Sequence, residues 1–388
     1  MTNAPRLDLD RIIDDRRTRI IVCCGSGGVG KTTTAAALGL RAAERGRHAC
    51  VLTVDPARRL AQSMGLTSLD NTPRQVDGVD GGSLHAMMLD MKRTFDEIVE
   101  AHADPDRAAQ ILANPFYQSL SSSFAGTQEY MAMEKLGQLR HADEWDLIVV
   151  DTPPSRSALD FLDAPQRLGR FLDGRLIRVL TGPARAGRSV MGVLNAGFSM
   201  MTGALTKILG AQVLKDAQTF VTALDTMFGG FRERAESTYR LLQAPGTAFV
   251  VVATPEPDAL REASYFVERL DTERMPLAGL ILNRVHTSPA SRLSAARSLA
   301  ASEALDYQNE RLVPGSPIGA DGTAQALAVA ALRLHAERMQ LGKRERRLAE
   351  HFTSAHPAVP VAEVPAQPED VHDLDGLRVV GKMLCEGF

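Results

Sequence analysis

Cys24-Gly25-Ser26-Gly27-Gly28-Val29-Gly30-Lys31-Thr32-Thr33-Thr34, written CGSGGVGKTTT, satisfies the spacing G-x-x-x-x-G-K-[ST]. Backbone N–H groups that no side chain obstructs can curl around an anion at a helix amino terminus, and Gly25, Gly27, Gly28 and Gly30 supply that freedom. In this pattern Lys31 reaches the β- and γ-phosphates of a nucleotide and the Thr32 hydroxyl faces magnesium. The flanks agree with such a loop: the apolar run RIIVCC (19–24) reads as a strand, and AAALGLRAAERG (35–46) continues as a helix. Val29 and Thr33 complete the set of residues expected around the phosphates.

Further apolar, β-branched runs follow: ACVLTV (49–54), LHAMML (84–89), DLIVV (146–150), TAFVVVA (247–253) and AGLILN (278–283). Alternating with stretches of helical period, they predict an α/β fold, a doubly wound, mostly parallel sheet. Two connections, of roughly 55 and nearly 100 residues, far exceed the usual length in such sheets and predict an inserted helical subdomain. The expected division is a P-loop core over 1–91, 126–163 and 245–345, an inserted subdomain over 92–125 and 164–244, and a Pro/Ala-rich linker with a docking tail over 346–388.

The second insertion carries a stripe at helical spacing, Val190, Leu194, Phe198, Met201, Leu205, Leu209 and Val213, continued by Phe220, Leu224, Met227 and Phe231. Its methionines suit a surface for varied apolar partners, although ordinary core packing explains the spacing equally. Ser189 to Thr206 contains no charge over 18 positions, but only 10 of them are hydrophobic, so no integral membrane span is expected. After the last strand, residues 322–352 read as a long helix in which KRERR (343–347) forms a solvated face. SAHPAVPVAEVPAQPED (354–370) reads as a semi-extended linker.

Carboxyl ends of parallel strands line the ligand crevice. Asp151 ends DLIVV where a carboxylate should stand behind magnesium, and Asp55 ends VLTVD in the same way. The candidate catalytic residues are therefore Lys31, Asp55 and Asp151, with Asp55 orienting or deprotonating the attacking water. Thr32, Asp55 and Asp151 are the expected magnesium group, partly through water. Arg58 and Arg59 could stabilise phosphate charge or simply face solvent. Asn283 and Arg284, just past a strand, are candidates for the purine, since an amide offers both donor and acceptor. Thr254-Pro255-Glu256-Pro257 reads as a structural helix start. The expected ligands are ATP and Mg2+.

A net charge of -3 and pI near 6.3 leave no global basic field, so nucleic acid is not expected as a partner. The charged amino terminus lacks the apolar core of a secretory signal, and the four cysteines form no C-x-x-C pair. The chain is expected to be cytoplasmic, with a peripheral position at a membrane left open.

Taken together, GSGGVGKTTT, VDPARRLAQSMG, AGTQEYMAMEKL, VVDTPPSRSALDFL and LNRV resemble the arsenite-pump and tail-anchored-protein-targeting ATPase family, within the deviant Walker A class. The resemblance implies a nucleotide-sandwiched dimer in which ATP hydrolysis opens and closes a helical client-binding subdomain, with an apolar or membrane-protein client. The C-x-x-C zinc pair and the arsenite-binding cysteines of that family are absent. So is the lysine that the deviant class carries at the position of Ser26, which crosses the dimer to the partner's nucleotide. A serine cannot extend a charge that far. The resemblance therefore favours a heterodimer with a lysine-bearing paralogue over a homodimer, like the two-subunit actinobacterial members. Two alternatives remain: a non-catalytic nucleotide-binding regulatory subunit, or the energising subunit of an anion efflux pump.

Overall fold

The computed structural model describes residues 4–54, 59–115, 117–118, 127–153, 233–311 and 320–386. In chain order the elements are α1 (Leu9–Asp14), β1 (Ile20–Cys24), α2 (Lys31–Glu44), β2 (His48–Thr53), α3 (Arg59–Ser63), β3 (Arg74–Gln75), β4 (Ser83–Met88), α4 (Met91–His102), α5 (Pro105–Leu112), α6 (Thr127–Ala142), β5 (Leu147–Asp151), β6 (Thr247–Ala253), α7 (Pro257–Thr272), β7 (Leu277–Val285), α8 (Ala295–Arg311), α9 (Ala320–Ala355), β8 (Val361–Pro365) and α10 (Leu374–Glu386). Residues 233–243 are also helical.

All six strands expected from the apolar runs form, within one eight-stranded sheet of order β3-β4-β2-β5-β1-β6-β7-β8. Every pairing is parallel except β3 with β4. From β1 the chain builds first toward β2 and later toward β6, the reversal that defines a doubly wound sheet and opens a crevice at the strands' carboxyl ends. Strands β1, β5 and β6 are buried along their whole length, which explains why they read as unbroken apolar runs rather than alternations.

Helix α2 lies unusually close to the sheet. A Cβ on Gly39 would come within 2.4 Å of the Val51 side chain, so only glycine permits this approach. The opposite side of α2 is covered by α10, whose buried Leu377, Val380, Gly381, Leu384 and Cys385 form one helical stripe. Arg378 fixes the docking by donating to Glu44 Oε1 (2.7 Å) and to the Gly78 carbonyl (2.6 Å). The docking tail thus packs on the helix that begins at the phosphate loop.

Two expectations require correction. The proline-rich stretch is not merely a linker: Val361–Pro365 forms β8, pairing with β7 on one side, while Val361 bonds to Pro5 and Leu7 on the other. Its prolines stand at the strand's ends, where a missing donor costs no ladder bond. The run KRERR is not uniformly solvated. Its four basic residues are exposed, but Glu345 is only 5% exposed and faces the end of β7. The expected helix start at Thr254-Pro255-Glu256-Pro257 forms, with Glu256 at the cap position of α7 and Pro257 in the first turn.

No helix among the described residues is long and apolar enough to cross a membrane. The methionine-bearing stripe from Val190 to Phe231 and the segment Ser189–Thr206 lie outside the described residues.

Candidate nucleotide site

The glycine loop joins the end of β1 to the start of α2 and rests on the carboxyl ends of β6 and β7. Two glycines make this contact possible. Gly25 (φ 151°) has no room for a Cβ, which would stand 2.1 Å from the Val252 carbonyl oxygen. Gly30 adopts the left-handed region (φ 95°), and a Cβ there would stand 2.3 Å from Nδ2 of Asn283. Helix α2 then begins with no side-chain cap and no acidic residue in its first turn. Its first N–H groups and the positive end of its dipole are thus presented to whatever sits in the loop, an arrangement that suits an anion.

Lys31, only 5% exposed, lies against the inside of the loop, its Nζ donating to the Ser26 carbonyl (2.7 Å). Behind it the carboxylate of Asp151 is fully buried. Oδ2 of Asp151 accepts from the Thr32 hydroxyl and from the Thr53 hydroxyl, both at 2.8 Å. Thr152 anchors the following turn by donating its hydroxyl to the Cys23 carbonyl (2.8 Å). A hydroxyl and a carboxylate side by side next to an anion-binding loop form a hard, all-oxygen donor set, and that chemistry fits magnesium. The neighbouring thiols do not compete: burial pushes Cys24 up to about 12 and Cys23 well above the usual thiol range, so both stay protonated.

Thr53 was not singled out from the sequence. The signal was available, since it stands two positions before Asp55 in an apolar run, but a lone threonine in such a run reads as ordinary β propensity.

Gly27, Gly28 and Val29 line a cavity of about 600 Å3 with Ser26, Arg284 and the start of α7. Thr254 and Glu256, read from the sequence as structural, belong to this lining. Thr33 follows in the first turn of α2. Asn283 meets the loop directly: its Nδ2 donates to the Val29 carbonyl (2.8 Å), and its Oδ1 accepts from the Arg284 N–H (2.9 Å). Arg284 is exposed and left-handed (φ 60°). Asp55 and Arg58 lie outside the described residues, as does the side chain of Arg59. Lys31, Thr32, Thr53 and Asp151 are therefore the members of the site that the fold brings together.

A strand, a glycine loop with a lysine in the first helical turn, and a buried carboxylate on the adjacent strand end define a P-loop nucleotide-binding protein. Residues 18–306 match the family described as Anion-transporting ATPase, and the chain belongs to that family of ATPases. Its relatives include ATPase GET3 of Malassezia globosa, 32% identical over 165 residues, which are 42% of this chain and 47% of that protein. ATPase GET3 of Ajellomyces dermatitidis is 25% identical over 281 residues, 71% of this chain and 76% of that protein. ATPase get3 of Schizosaccharomyces pombe is 24% identical over 282 residues, 72% of this chain and 78% of that protein. The alignment spans about half of the first relative and about three quarters of the other two.

Proposed function

We propose that the chain is an ATP-hydrolysing molecular switch that pairs with a lysine-bearing paralogue and couples its nucleotide state to a helical client-binding subdomain. The observation that carries the hydrolytic part is the cluster beneath the loop: Lys31 inside it, with Thr32 and Thr53 both bonded to the buried Asp151. Lys31 neutralises charge on the β- and γ-phosphate oxygens, and the first N–H groups of α2 hold them. Thr32 and Asp151 would hold magnesium, which supplies further neutralisation of the transferring phosphoryl group. Asp55 is assigned to the attacking water from its place two residues beyond Thr53 in the sequence.

Pairing is inferred from Ser26, which lines the open side of the loop and carries no charge across an interface. The site completed by a partner's lysine would be the one built on this chain's own Lys31 and Asp151. Turnover per site, measured for the chain alone and with its lysine-bearing paralogue, tests the arrangement. Equal turnover without the partner refutes the pairing, and no turnover in either preparation refutes hydrolysis.

The family's description favours one second reading, in which hydrolysis energises anion movement through a membrane partner. That reading expects the transported anion to stimulate ATP turnover.

A further inference from the structure

Asn283 is held by hydrogen bonds on both ends of its amide, and neither partner is a ligand. Its Nδ2 donates to the carbonyl of Val29, 254 positions away in sequence, and its Oδ1 holds the N–H of Arg284. The two partners together fix which end of the amide faces the loop.

The carbonyl of Val29 belongs to the same peptide unit as the N–H of Gly30. In a trans peptide these groups point in opposite directions, so fixing the carbonyl on Asn283 turns the Gly30 N–H away from it. This N–H immediately precedes Lys31, in the stretch of backbone that G-x-x-x-x-G-K spacing wraps around phosphate. The contact is close as well as polar, since any Cβ on Gly30 would collide with the amide.

The strand end that carries Asn283 is tied to α9. Three residues further along, His286 is clamped by Glu345 of α9: its N–H donates to Oε2 (2.8 Å), and its Nδ1 lies 2.6 Å from Oε1. Helix α9 passes so near that a Cβ on Gly342 would stand 2.7 Å from the His286 carbonyl oxygen. The buried acid hidden in KRERR therefore braces the strand end that holds the phosphate loop.

We propose that Asn283 is a positioning residue for the phosphate loop, setting the Val29–Gly30 peptide through its amide, braced by the His286–Glu345 pair. The role rests on the ATP-site reading.

The test uses the full chain, with Asn283→Ala and the near-isosteric Asn283→Asp, which puts an oxygen against the Val29 carbonyl. Calorimetric titrations with MgATP and with magnesium inorganic triphosphate, which has no base, separate loop positioning from base reading. Loss of one net hydrogen bond predicts that Asn283→Ala weakens both ligands equally, by about five- to tenfold, and Asn283→Asp more so. A loss confined to MgATP, with triphosphate binding unchanged, overturns the proposal. Circular dichroism melting without ligand accompanies each variant; should alanine unfold the chain, the aspartate variant carries the comparison. A wild-type chain that binds neither ligand refutes the nucleotide site, and this role with it.

Discussion

Replacing Thr53 with valine removes one hydroxyl while keeping the shape and strand preference of a β-branched side chain. Thr53 is 1% exposed and donates at 2.8 Å to Oδ2 of a carboxylate that is itself fully buried. A hydrogen bond to a charged group contributes roughly 1.5–3 kcal/mol, and losing it here leaves a buried anion with one donor fewer. Thr53→Val should therefore lower unfolding stability by about 2 kcal/mol, read as a shift in the denaturant midpoint at unchanged slope.

The functional consequence is separable from stability. With the Thr53 hydroxyl gone, Asp151 keeps its backbone pairing to β2 and the Thr32 hydroxyl on Oδ2, but its carboxylate loses one of the two hydroxyls that orient it. Magnesium-dependent ATP turnover should fall by about tenfold, equivalent to about 1.4 kcal/mol of barrier. Nucleotide affinity measured with EDTA should not change, because Thr53 bonds to the carboxylate and not to the loop. Thr53→Ser restores the hydroxyl and should recover most of both losses. If Thr53→Val matches Thr53→Ser in midpoint and in magnesium titration, the Asp151 cluster does not organise the metal position.

Two further outcomes follow from groups at the opposite end of the sheet. Arg47, 1% exposed, donates to the carbonyls of Ile13 (2.8 Å), Asp15 (3.2 Å), Thr18 (2.7 Å) and Asp146 (2.5 Å). Arg47→Met should cost about 2–4 kcal/mol in chemical unfolding, part of the loss being offset by relief of a buried charge, with ATP affinity by calorimetry unaltered. Asp10 bonds to Arg41 at 2.8 Å, and that hydrogen bond holds its carboxyl below the ordinary value of 3.8 against the opposing effect of burial. Its stabilisation is fully present above the unfolded value and is lost as pH falls through the folded one. Asp10→Asn should therefore unfold more easily than wild type at pH 6 and converge with it in acid; a gap that persists in acid would mean that the ion pair is not its source.

The central strands were legible because burial on both faces turns β1, β5 and β6 into unbroken apolar runs, a signal that needs no partner to interpret. The loop was legible because its chemistry is local: the glycines, Lys31 and Thr32 lie within eight consecutive residues. What escaped is what depends on distant partners. Strand β8 hides among prolines and forms only because Leu7 and β7 supply neighbours on both sides. Glu345 looks like any other charge in KRERR until α9 is laid against His286. Asn283 was found as a site residue, yet its bond to Val29 spans 254 positions and could not be read from either segment alone.

These distant contacts also bear on how much of the chain the phosphate loop needs. The match to the ATPase family ends at residue 306, so a chain truncated there would retain the central strands, the loop, Asp151 and Asn283. It would lose α9 and with it Glu345, leaving the His286 N–H and the end of β7 without their clamp. It would also lose β8, which occupies the free edge of β7, and α10, whose apolar stripe covers α2. Helix α2 is buried on its sheet side and on its α10 side alike, with ten of its fourteen residues buried. Removing α10 exposes a long apolar face on the helix whose first turn closes the phosphate loop. The carboxyl-terminal segments are therefore part of what fixes the site, and residues 18–306 carry its chemistry without the packing that holds it in place.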